Sequence, residues 1–155
     1  MSDMQQPESN RSPLRDALER VLAAQEPEWI LARAIAHENN QFFLLRQKLG
    51  GETISLDLNV LRSVAEAVEQ FGRSGNQFIA PKLSLSPSVQ FDPPTKAEAE
   101  ISGLAEENHL WRGYGRNRRG VIKLREGSVI AQVNASSVEE AERFAWHVVD
   151  LLRTA

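Results

Sequence analysis

The chain contains no cysteine, a single tyrosine and no apolar run close to the roughly 20 residues that a membrane-spanning helix requires. Without cysteine there is no disulfide framework, no thiolate nucleophile and no zinc site built on sulfur, and the absence agrees with a cytoplasmic protein. Histidine is scarce too: His37, His109 and His147 stand on separate predicted elements, so no pair has metal-ligand spacing. Phosphate-loop and dinucleotide motifs are missing. Gly113 and Gly115 lie within Arg-Gly-Tyr-Gly-Arg, which lacks the third glycine and the strand-to-helix setting of a dinucleotide fingerprint. Residues 1–11 carry Asp3 and Glu8 and no apolar stretch, which argues against a secretory leader. The carboxylates Glu98, Glu100, Glu106 and Glu107 read as a solvated helix face rather than an acid/base pair. The expectation is a protein with no cofactor, no metal and no enzymatic activity. A triad gathered by the fold around His109 is the catalytic alternative.

What remains is ordinary for a globular domain. With 155 residues, 41% hydrophobic and 25% charged, the chain fits one domain able to bury a core without disulfides or metal. Residues 1–11 are polar and offer nothing to bury, so they read as a disordered tail, leaving 12–155 as a single α+β domain.

Along that domain, Ser12 as cap and Pro13 at the first helical position open an amphipathic helix striped by Leu14, Ala17, Leu18, Val21 and Leu22. Residues 29–37 and 41–48 read as strands about an Asn39-Asn40 turn, with helix as the alternative for 29–36. After Gly50-Gly51, residues 53–56 alternate as a strand, and Asp57 is placed to cap a helix striped by Val60, Leu61, Val64, Val68 and Phe71. Residues 77–92, with Pro81 and Pro87, suit an edge strand or an extended segment. Thr95 with Glu98 has capping-box spacing for a short helix to about residue 107. Residues 121–124 and 129–133 form a hairpin, and Ser137 with Glu140 boxes a last helix burying Val138, Ala141, Phe144, Ala145, Val148, Val149 and Leu152.

The order of these elements suggests two similar strand-meander-plus-helix halves, 28–75 and 77–155. Laying residues 33–36 over 112–115 also lays 42–46 over 121–125. The predicted fold class is therefore α+β: a mostly antiparallel sheet with helices packed on one face. Such doubling is similar in topology to PUR-type and whirly-type single-strand binders, although no motif of either family stands in this chain.

Charge singles out residues 111–125. Arg112, Arg116, Arg118, Arg119, Lys123 and Arg125 fall there with no acid among them, which leaves 12 of the 18 Lys and Arg to face all 21 Asp and Glu elsewhere. Trp111 and Tyr114 are set among these cations, and Gly113, Gly115 and Gly120 permit close backbone approach. Cations along a loop and strand neutralise successive phosphates, and aromatic faces stack bases. The site expected from this pattern is Trp111, Arg112, Tyr114, Arg116, Arg118, Arg119, Lys123 and Arg125, and its partner a polyanion, nucleic acid foremost. Two blander readings compete: a charged, Gly-rich hairpin edge protected from pairing, or arginines paired with the protein's own acids such as Glu139, Glu140 and Glu142.

Trp146 is the second candidate. At helical spacing it lies outside the apolar stripe, among Glu139, Glu142, Arg143 and Asp150, with His147 beside it facing outward. That position suits an interface, cover by the same chain being the alternative. The competing function is an acidic protein-interaction adaptor or chaperone-like homodimer with Trp146 at the contact, which the net charge of −3 favours.

Overall fold

The computed structural model describes residues 13–74, 99–112 and 119–154. In chain order these form α1 (Pro13–Gln25), β1 (Trp29–His37), β2 (Asn40–Gln47), β3 (Thr53–Val60), α2 (Val64–Ser74), β4 (Glu107–Arg112), β5 (Gly120–Glu126), β6 (Val129–Ala135) and α3 (Val138–Thr154). The strands make one antiparallel six-stranded sheet in the order β1-β2-β3-β6-β5-β4, so the α+β class read from the sequence holds. Central to it is the β3·β6 pair, with Leu56 opposite Val133, which joins two three-stranded meanders edge to edge.

Strand periodicity sends alternate residues to opposite faces. One face carries Trp29, Phe43, Leu45, Ile54, Leu56, Leu58, Ala131, Val133, Ile122, Leu124 and Leu110, and it forms the main core with Leu18 and Leu22 of α1 and Phe144, Ala145, Val148 and Val149 of α3. The stripes predicted for both helices lie in this core or pack against it. Trp29 meets Phe144 edge to face at 5.3 Å, within the range where aromatic pairs attract beyond simple burial. Gly120 permits the close fit of α3, because a Cβ there would stand 2.6 Å from the Val138 Cα.

The opposite face is covered in part by α2, whose Ala67 and Phe71 pack on Ile130. Helices thus lie on both faces: α1 and α3 share one, as expected, while α2 takes the other.

Several local readings need correction. Asp57 does not cap a helix; β3 continues through it to Val60, and the cap of α2 is Ser63, whose Oγ accepts from the Glu66 N–H at 3.0 Å. The later start rotates the buried side to Ala67 and Phe71, leaving Val64 and Val68 exposed. No helix occupies residues 99–107. Ala99 instead bridges Leu110, and the side chain of Asn108 holds the following turn by accepting from Ile101 N–H (2.6 Å) and donating to the carbonyls of Ile101 and Leu104 (2.8 Å each). The hydroxyl of Ser137 accepts from Glu140 N–H at 3.1 Å as predicted, but the Glu140 carboxylate takes the Ser136 hydroxyl instead. The expected tail at 1–11 and the segment at 77–92 lie outside the described residues.

Candidate binding surfaces

The structure separates the members of the basic segment. Trp111, on β4, has 0% of its surface exposed and presents no face to a base. Its ring stands edge-on to His109 at 6.3 Å, and His109 in turn stacks on Phe71 of α2 at 5.2 Å and 8°. An aromatic column therefore ties β4 to α2. Arg125 is buried and committed to the protein itself: its guanidinium meets Glu107 at 2.5 Å and Glu106 at 3.5 Å and donates to the Gly127 carbonyl at 2.9 Å. Glu107 and Arg125 are register partners on β4 and β5, which makes this a cross-strand ion pair. Own-acid pairing was one of the blander readings, with Glu106 and Glu107 as the acids rather than those of α3.

Lys123 is 7% exposed, and burial pushes its ammonium below the usual lysine range. Arg119 is half-buried, its Nε donating to the Asn134 amide oxygen at 3.1 Å, and burial lowers its pKa as well. Arg112 ends β4 opposite Gly120. Tyr114, Arg116 and Arg118 lie outside the described residues. Trp111, Lys123 and Arg125 accordingly belong to the packed interior, and Gly120 serves the approach of α3 rather than that of a ligand.

Two groupings escaped sequence reasoning. The first is a polar row crossing the sheet, His109 beside Lys123, Lys123 beside Gln132 and Gln132 beside Asp57. Burial raises the Asp57 carboxyl above its usual range, the counterpart of its effect on Lys123. The second joins α1 to α3. Glu26, buried just beyond α1, accepts from Arg143 Nε at 3.0 Å and meets His147 Nε2 at 2.9 Å. His147 thus faces inward with 13% of its side chain exposed, which corrects the outward placement expected for it. No sequence signal announces either grouping, since their members are distant in the chain.

Trp146 stands where helical spacing put it, on the outer side of α3 and 36% exposed. No other Trp, Tyr or Phe among the described residues is comparably exposed. Glu139, Arg143, Asp150 and Arg153 share that side, and Arg153 also bonds Glu126 at 3.0 Å, which holds its guanidinium above the usual range. Among the described residues no group of three or more His, Asp or Glu is placed to hold a metal ion, and no helix is long and apolar enough to cross a membrane. Neither family models, curated proteins nor solved structures give a match to this chain.

Proposed function

We propose that the protein is a non-catalytic, cytoplasmic interaction module that self-associates through the outer side of α3 around Trp146. The observation that carries this reading is an indole left in water opposite the core, on a helix whose inward side is fully used. Tryptophan is the residue most often found at the energetic centre of interfaces. Antiparallel pairing of two such helices sets Glu139 of one against Arg153 of the other, at equal distances along the helix from a central pair of Trp146 rings. The acidic balance of the chain, −3, also suits protein partners better than phosphate backbones. Sedimentation velocity over a concentration series tests this. Dimer that becomes monomer in Trp146→Ala supports the reading; a parent that stays monomeric at high concentration overturns it.

Nucleic-acid binding through the basic segment is the second reading. Arg119 favours it, since its charge rests on an amide rather than a carboxylate, next to the stretch bearing Arg116 and Arg118. Its test is the triple variant Arg116→Ala, Arg118→Ala, Arg119→Ala. Oligonucleotide affinity at low salt falls in the variant if the segment binds phosphates, and in the parent it declines steeply with added salt. Equal affinity of parent and variant removes this reading.

A further inference from the structure

The two edges of the sheet are treated differently. At β4 the chain closes its own edge: Ala99 and Leu110 exchange backbone hydrogen bonds of 3.4 and 2.8 Å, and Asn108 fixes the segment that follows. At β1 nothing among the described residues pairs with the outer side, although the strand is nine residues long and contains no proline. A long edge with no partner among the described residues is a template for another strand. Its one irregularity is a shift of register between Leu31 and Arg33, beyond which residues 33–37 run regularly against β2.

Side chains beside this edge say what it suits. On the face away from the main core, Ile30, Arg33 and Ile35 of β1 lie opposite Arg46, Leu44 and Phe42 of β2. Ile30, Ile35 and Leu44 are half-buried, whereas Arg33 and Arg46 are exposed, and neither arginine makes an ion pair among the described residues. Glu28 and Glu38 stand beyond the two ends of the strand. The middle of the edge is thus cationic on a chain whose net charge is −3.

We propose that β1 docks an extended acidic segment of a partner protein by strand addition, with a carboxylate beside Arg33 and an apolar side chain two residues away beside Ile35. A second copy of this chain is the wrong occupant. Self-pairing centred on Arg33 sets two guanidinium groups together, and self-pairing centred on Ile35 sets Arg33 against His37. Neither supplies the acid. This surface is distinct from the outer side of α3 and does not depend on self-association there.

The probe is a synthetic octapeptide of alternating valine and threonine with one central glutamate, titrated against the full chain while amide chemical shifts are followed. Shifts centred on residues 33–37 are expected. Arg33→Glu should weaken this peptide by about tenfold and strengthen the version with lysine in place of glutamate, an exchange of preference that damage to folding cannot produce. N-methylation of alternate peptide nitrogens should abolish binding, because backbone pairing is what a strand contributes. Trp146→Ala should leave the titration unchanged whatever its effect on sedimentation. Absence of binding at millimolar peptide, unchanged preference in Arg33→Glu, or full binding of the N-methylated peptide each overturns the proposal.

Discussion

Asp57 sits in the middle of β3 with its carboxyl held above the ordinary aspartate value of 3.8 by burial. The folded state therefore binds this proton more tightly than the unfolded chain does. The stability tied to the protonated form is complete below 3.8 and is lost as pH rises through the raised folded value. Asp57→Asn removes that loss. We expect the variant to be more stable than the parent at pH 7 and to show no advantage near pH 3, read as urea midpoints at the two pH values. Glu26 carries the opposite lesson: its carboxylate has two hydrogen-bonding partners, so Glu26→Ala leaves Arg143 and His147 without theirs and costs about 1–3 kcal/mol in urea denaturation. None of this was legible in the sequence, because the environment of a single carboxylate is set by strands and helices far apart in the chain. Trp111 misled for a related reason. Both faces of β4 are covered at this position, Leu110 in the main core and Trp111 buried on the opposite face beside His109, so no alternation of wet and dry residues marked the strand, and the surrounding arginines and glycines suggested a loop.

Elements with one wet side were read well. The apolar stripes of α1 and α3 follow from periodicity, and the β1–β2 and β5–β6 pairs from strand propensity and turn residues, although the first turn is Glu38-Asn39 rather than the Asn39-Asn40 expected, and β5 is buried on both faces. Where an apolar stretch continues across a boundary, as from β3 into α2, periodicity gave the wrong phase; the Ser63 cap decides where the helix begins and hence which side is buried. Ser63→Ala should cost about 1 kcal/mol, within the range for loss of an N-cap. Gly120 sets the relation between β5 and α3 more sharply. Gly120→Ala drives a methyl into the Val138 backbone, which cannot rotate aside, so we expect about 1–3 kcal/mol of destabilisation by overpacking. Thermal denaturation measures both. A Gly120→Ala protein as stable as the parent would show that α3 can slide along the sheet.

The whole molecule hangs on the β3·β6 pair, since that is where the two meanders share backbone hydrogen bonds and where Leu56, Leu58, Ala131 and Val133 contribute to one core. The doubling of the meander was visible in the alignment of residues 42–46 with 121–125, which fall in β2 and β5 with Phe43, Leu45, Ile122 and Leu124 all facing the core. All helices were expected on one face, and α2, packed on Ile130, takes the other. With one core spanning both meanders, unfolding should be a single transition. Urea curves followed by Trp29 and by Trp111, each as the sole tryptophan, should share one midpoint, and separate midpoints would show two independent units. The placement of the three indoles also gives the protein its own optical reporter. Two are sealed from solvent and one is not, so a collisional quencher such as iodide darkens only the emission from α3, and any partner that settles there restores the light without a label having been attached.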